Sequence, residues 1–525
     1  MKKTLKRIVS LFLVCLMVFS AVPAFFAAAE SENVTFTGPD GETYNHYPQV
    51  CVAGFGVSCV NIYYEDDPEQ KPLFWPFDTD RFINNLANID DYIVKSIKDK
   101  EPDVLHTIIY NYLMDCFGML ALNPDGSMME GVTTEPVGLR YAGDGKYDFY
   151  FDSRVSPLDS ADILYECIQQ LREETGAEKI ELVGSSHGAN VVTAYMYSYP
   201  EELKYVDTVL MRVPSVGGVN FVGELFSGNF TINPKALCDL IDRLSSNKLI
   251  PDFLYLMEEA GILEIFLEAL VIPVFRDAVY EAVVDVARDF VATLPTAWVC
   301  IPDEYFLPSL EFIYGPDYDD PSQPYAQLIA DMKYYHYNVA NRAEEIFAEA
   351  MKENEDLHVA FITKYGTAGI PLTTGDNVME DGFVTIPVSS FGATCANYGE
   401  KLPADYVQQK YTDYDLISPE WNIDASTGVA PFTTWYLKGI EHSATDNVDY
   451  LRLNDEILYK NLNIYSDPEF PQYLTVSEDA PEKLEPLVVK EKKETFYDKI
   501  YAVFKKFASF ARKIFDILTL KFLDK

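Results

Sequence analysis

The sequence predicts an α/β fold: a mostly parallel sheet covered by helices and interrupted by one long helical insertion. Three observations predict it. Between residues 147 and 214, strand-like and helix-like patterns alternate with short links, as they do in parallel sheets. Upstream, the apolar run "YPQVCVAGFGVS" ends in Gly54-Phe55-Gly56. That suits a buried strand leading into a loop whose backbone lies close to something else. From residue 229 to 350 the rhythm turns into long helical patterns with little strand signal.

The elements follow in order. The opening segment, MKKTLKRIVSLFLVCLMVFSAVPAFFAAAE, has a basic start, a short apolar run and an Ala-rich end. It reads as a secretory signal peptide over 1–29, with cleavage after Ala29; a transmembrane anchor is the competing reading. No later stretch approaches ~18 uninterrupted apolar residues, so no spanning helix is expected beyond it. "YDFYFDSR" (147–154) reads as a strand. "SPLDSADILYECIQQLREETG" reads as a helix capped by Ser156, started by Pro157 and stopped by Gly176. Its buried stripe is expected to be Leu164, Cys167, Ile168 and Leu171. "KIELVG" (179–184) is a strand, Ala189 to Ser198 a helix and "VDTVLMRVP" (206–214) a strand.

Residues 229–350 are too long for a loop and rich in Phe, Leu, Val and Tyr, so a helical cap or lid subdomain is expected there. The sheet resumes with "HVAFITKYG" (358–366), and 401–430 reads as loops. The expected organisation is a signal peptide (1–29), a first part of the core (30–228), the insertion (229–350), a second part of the core (351–480), and a linker with a basic amphipathic helix (481–525). There is no internal repeat.

Charge excludes one class of partner. The 525-residue chain carries 41 Lys and Arg against 82 Asp and Glu, a formal charge of −41. Loss of Lys2, Lys3, Lys6 and Arg7 with the signal would take it from −41 to −45. Such a surface repels phosphates, so nucleic acid is not an expected partner. Once Cys15 leaves with the signal, Cys51, Cys59, Cys116, Cys167, Cys238, Cys300 and Cys395 remain, irregularly spaced and without a CxxC pair. Neither a disulfide framework nor a zinc site is expected, although one bridge from Cys51 to Cys59 stays open. Nothing in the pattern calls for a metal or an organic cofactor.

The chemistry concentrates at Gly184-Ser185-Ser186-His187-Gly188. Only Ser186 has glycine two positions away on both sides, the register of a nucleophile elbow. Small residues are required there because the turn from strand to helix is sharp. A strand runs into Gly184 and a helix leaves Gly188, as the elbow of an α/β-hydrolase core requires. The ring of His187 adjoins the nucleophile in sequence, where hydrogen-bonding geometry is poor. Its backbone N–H is therefore the expected oxyanion donor, rather than its ring the base. The N–H of Phe55, in "VAGFG", is the expected second donor; a simple tight turn is the alternative.

The base must lie downstream, where His336, His358 and His442 are available. His336 falls in the Tyr-rich "YYHYN" of the insertion, and His358 opens a strand. His442 ends the strand-like "TWYLKGIEH" in a turn and is the expected base. The acid should follow "HVAFITKYG" and precede His442, which leaves Asp376 and Asp381. Asp381, followed by Gly382 and an apolar segment, is preferred, with Asp376 as the alternative. The order Ser, Asp, His is that of the α/β-hydrolase arrangement.

These residues resemble a distant, secreted member of the lecithin:cholesterol acyltransferase-like branch of the α/β-hydrolases. The resemblance spans roughly 48–60, 147–228 and 358–445, through "VAGFG", "YFDSRVSP", the Ser186 elbow with "VPSVGG", "KYGTAGIP", "DGFVTIPVSS" and "GIEH". It implies Ser186 as nucleophile, Asp381 as acid, His442 as base, and Phe55 with His187 as oxyanion donors. Ala53 stands where proline is usual, and Phe55 and His187 are not the usual residues. The implied function is therefore hydrolysis of acyl esters, with lipase, phospholipase or esterase character, ahead of acyl transfer to an alcohol. A non-catalytic surface-binding protein that kept the fold is the reading from another class.

Residues 490–525 differ from the rest, with ten basic and five acidic side chains. Phe496, Ile500, Phe504, Phe507, Phe510, Ile514, Leu518 and Phe522 recur at three and four, one face of a helix. Such a helix suits an anionic membrane or cell surface, or the protein's own acidic body. The expected location is secreted or cell-surface.

Overall fold

A nine-stranded sheet runs through the computed structural model of this protein. The structure describes residues 35–65, 106–111, 114, 118–244, 249–267, 284–367, 369 and 379–489, apart from positions 56, 109, 230, 231, 260, 398 and 478. The expected signal peptide, Cys116, Asp376 and the basic C-terminal helix lie outside these residues. In chain order the strands are β1 (Gln49–Val52), β2 (Gly138–Gly143), β3 (Lys146–Tyr150), β4 (Ile180–Ser185), β5 (Val206–Arg212), β6 (His358–Tyr365), β7 (Thr434–Lys438), β8 (Tyr473–Val476) and β9 (Leu484–Pro486). Their spatial order is β9-β8-β7-β6-β5-β4-β1-β3-β2.

Every pairing from β3 to β8 is parallel, in registers such as Val50 with Leu182, Leu182 with Val209 and Phe361 with Thr434. Both outer pairs, β2 with β3 and β8 with β9, are antiparallel. A mixed α/β architecture with a mostly parallel sheet is thus what the chain forms; the antiparallel edges were not expected.

Burial on both faces explains why the inner strands are continuously apolar. On β4, Leu182 enters one core with Val50, Val209 and Val359, whereas its neighbour Val183 enters another with Leu210 and Ala360. The first core is closed by α1 (Pro157–Thr175) and α2 (Gly188–Ser198), and the second by α11 (Val448–Lys460). Local signals set α1. The Ser156 hydroxyl accepts from the Leu158 N–H at 3.2 Å, Pro157 occupies the first turn, and Gly176 ends the helix at φ 68°. Leu164, Ile168 and Leu171 are buried as expected, but Cys167 is only half-buried. It lies at the margin of the stripe, where Gly138 at the sheet edge offers little cover.

The regular secondary structure described in segment 229–350 is helical, with turns between the helices. It contains α4 (Pro234–Leu244), α5 (Leu249–Glu259), α6 (Ile262–Phe266), α7 (Pro295–Val299), α8 (Asp303–Tyr314), α9 (Ala326–Asn338) and α10 (Ala343–Glu353). Before α4 the chain passes through the short helix α3 (Asn220–Phe226). Trp298, Phe306, Leu310, Ile313, Leu328, Ile329 and Met332 form a separate apolar cluster with Phe226 of α3. Its centre is Trp298, which meets Phe226 and Phe306 edge-on at 5.5 and 6.0 Å. At the end of this segment, Ile346, Phe347 and Ala350 of α10 pack into the first sheet core. No helix among the described residues is long and apolar enough to cross a membrane. Cys51 and Cys59 are both free thiols, so the bridge left open between them is not formed.

Candidate active site

Parallel strands bring their carboxyl ends to one edge, and three of those ends carry the residues singled out in the sequence. Ser186 follows β4, Asp381 lies in the connection after β6, and His442 follows β7. At the first, the chain turns from strand to helix within two residues. Ser186 adopts φ 51°, a left-handed conformation that non-glycine residues rarely take. Its N–H is held by the Arg212 carbonyl at 2.9 Å, and its own carbonyl accepts from the Ala189 N–H at 3.1 Å.

The flanking glycines are required by contact. A β-carbon on Gly188 would fall 2.1 Å from the Val52 carbonyl oxygen, and one on Gly184 3.0 Å from the Ala189 Cα. The Ser185 hydroxyl is engaged elsewhere: it accepts from the Arg212 Nε at 2.8 Å.

The three residues form one hydrogen-bonded chain. Ser186 Oγ lies 2.8 Å from His442 Nε2, and His442 Nδ1 lies 2.7 Å from Asp381 Oδ2. Asp381 Oδ1 accepts from the N–H groups of Phe383 and Val384, at 3.1 and 2.8 Å. The His442 N–H also donates to the Asp381 carbonyl at 3.0 Å. The carboxylate accepts a hydrogen bond from Nδ1–H, which leaves Nε2 with the lone pair that accepts from the serine hydroxyl. Solvent reaches the edge of the histidine but not the acid, whose side chains are 11% and 0% exposed. Of the two candidate aspartates, Asp381 is the described one, and it meets His442.

Comparison with protein-family models and with curated protein sequences finds no match.

The remaining sequence-predicted residues fall as follows. The loop carrying Phe55 lies against Ser186: a β-carbon on Gly54 would sit 2.9 Å from the Ser186 Cβ. His187 begins α2, and its backbone N–H meets no acceptor among the described residues. Its ring turns away from the serine. Nε2 lies 2.9 Å from the Thr296 hydroxyl of α7, and the rings of Phe55 and Phe151 flank it. Burial pulls His187 down to about 4, so the ring is neutral near pH 7. His336 bonds Asp303 at 2.8 Å and stacks on Phe306, and His358 opens β6 at the opposite end of the sheet. Neither approaches Ser186.

The His187 shift has a measurable consequence. Its folded value lies below the ordinary 6.5, so the unfolded chain takes up a proton that the folded chain refuses. The stability concerned is complete above about pH 6.5 and is lost as pH falls toward 4. A shift of this size is worth about 3 kcal/mol. His358, held near 4 by burial, adds to the same window. Denaturant melts of His187→Gln should therefore show a weaker fall in stability between pH 6.5 and 4 than the parent. Parallel curves would exclude the effect.

Some neighbours of the site were not singled out in the sequence. Phe383 lies 5.4 Å from the His442 ring and packs edge-on against Phe221 at 5.9 Å, giving the site an aromatic wall. Glu380, beside Asp381, is pushed up to about 8 by burial and by the charges of Asp381 and Glu224. Lys364 and Thr296 gave only weak signals: a lysine inside an apolar strand, and a threonine in the "LPTAWVCIP" segment. No group of three or more His, Cys, Asp or Glu side chains among the described residues could hold a metal ion.

Proposed function

We propose that this protein is a serine hydrolase of acyl esters, built on an α/β-hydrolase core with a helical cap. The observation that carries the reading is the unbroken chain from Ser186 Oγ through His442 to Asp381. Ser186 gives its proton to His442 Nε2 as Oγ attacks the ester carbonyl. Asp381 orients the imidazole and stabilises the imidazolium that forms. The tetrahedral oxyanion is held by the His187 N–H and by the loop of Phe55. Collapse returns the proton from His442 to the departing alcohol and leaves an acyl-serine. Water, deprotonated by the same histidine, then releases the acid.

The aromatic side chains Phe55, Phe221 and Phe383 around the site support an apolar substrate of the lipid-ester kind. The insertion is read as a cap that meets the site through Thr296. Export directed by residues 1–29 would place the reaction outside the cell, and the basic segment 490–525 would hold the enzyme on an anionic surface.

The test is labelling with a fluorophosphonate probe, mapped by mass spectrometry, followed by a panel of p-nitrophenyl esters from acetate to palmitate. Modification of Ser186 and turnover of at least one ester are expected. A protein that is folded but neither labelled nor active would overturn the reading in favour of a non-catalytic surface-binding role. Formation of a new ester when an alcohol is supplied would instead identify acyl transfer.

A further inference from the structure

Lys364 interrupts the apolar pattern of β6 one residue before the strand ends. It is 1% exposed, which an ammonium tolerates only when its hydrogens are satisfied. All three are used. Nζ donates to the carbonyl oxygens of Glu441, His442 and Ala444, at 3.3, 3.1 and 2.6 Å. Its open side faces the Tyr450 ring of α11 at 4.6 Å. Every acceptor belongs to the turn that carries the histidine of the site, and one is that histidine's own carbonyl. The other ionisable groups around the ammonium are Asp381 after β6, Arg212 of β5 and Asp446 before α11.

We propose that Lys364 is a positioning residue that fixes the turn 441–444, so that His442 Nε2 meets Ser186 Oγ. The role follows from how His442 is otherwise held. Its N–H and its Nδ1 both go to Asp381 and Phe383 flanks its ring, so these attachments leave its backbone free to pivot about the acid. Lys364 anchors the carbonyl side of the same residue to the sheet, which removes that pivot. No hydrogen bond joins Lys364 to the nucleophile, so its effect passes through the turn. The chemistry selects lysine. Methionine has the length without the donors, and arginine's planar fork does not converge on three carbonyls around one point.

The inference rests on the ester-hydrolase reading for its kinetic consequence but not for its structural one, so the test uses both. Lys364→Met and Lys364→Arg are prepared in the full chain. Misplacing the base by about 1 Å should lower kcat on a p-nitrophenyl ester about 100-fold in the methionine variant. KM should stay within about twofold, because Lys364 lies behind the histidine and not in the substrate's path. The arginine variant, which keeps the charge and some of the donors, should recover part of the loss. The crystal structure of Lys364→Met should show the turn displaced and the His442–Ser186 hydrogen bond broken.

An unchanged turn or full kcat in Lys364→Met would overturn the proposal while leaving the hydrolase reading intact. A displaced turn in a protein whose parent neither turns over esters nor labels at Ser186 would keep the positioning role and remove the reaction. If neither variant folds, the ammonium holds the sheet rather than the turn, and the proposal falls.

Discussion

Replacing Ser186 with alanine should reduce ester turnover by roughly 10⁴- to 10⁶-fold and abolish fluorophosphonate labelling, with the fold unchanged. The hydroxyl is the only group lost, and among the described residues it bonds the His442 ring at 2.8 Å. His442→Ala should fall to a similar floor because the serine then has no base. Combining the two should add little, since the residues act as a unit. Asp381→Asn should also be severe. An amide can donate to Nδ1, which favours the tautomer whose Nε2 carries the proton and cannot accept from Ser186. Ser186→Gly separates reaction from stability. The left-handed φ of 51° costs a side-chain residue on the order of 1 kcal/mol and glycine very little. The glycine variant should therefore be as inactive as the alanine one and yet melt at a higher temperature. If both variants retain parental activity, Ser186 is not the nucleophile.

The second large effect is on folding. Gly188→Ala places a methyl group 2.1 Å from the Val52 carbonyl oxygen and 2.4 Å from that of Ala53. Both obstacles are backbone at the end of β1, so no side-chain rotation relieves the clash. Either α2 must retreat from the sheet or β1 must bend, and each breaks buried packing around Val52, Val191 and Val192. A loss above about 4 kcal/mol is expected, in the range of the most disruptive single substitutions. Little soluble protein should be recovered, and what is recovered should melt far below the parent. A stable Gly188→Ala protein with normal labelling would show that the helix has more room than the structure gives it.

Features encoded within a few neighbouring residues were legible in the sequence. Ser156, Pro157 and Gly176 bound α1 because caps act locally. The two glycines around Ser186 point to a sharp turn for the same reason. The sheet's parallel interior was legible from the alternation of strand and helix patterns with short links. Its edges were not, because β9 is three residues long and contains Pro486. The acid was narrowed to two aspartates. Only the structure shows Asp381 reaching His442, since that contact spans 61 positions. Lys364 and Thr296 lay out of reach for a related reason. A lysine late in a strand reads as a solvent-facing end until its neighbours are known. The pairing of His187 with Thr296 depends on how α7 meets the sheet, which no local pattern encodes.

Helix α9 belongs to two cores at once. Its first half gives Leu328, Ile329 and Met332 to the cluster around Trp298, and its second half gives Tyr335 to the core beneath the sheet. There the Tyr335 hydroxyl donates to Asn190 of α2 at 2.9 Å, and the Asn190 amide donates to Ser215 at 3.0 Å. A shared helix couples the two cores: neither can lose it without loosening side chains packed in the other. It also makes any rearrangement of 229–350 one-sided. The end at α9 is moored to α2 four positions from Ser186, through the Tyr335–Asn190 bond.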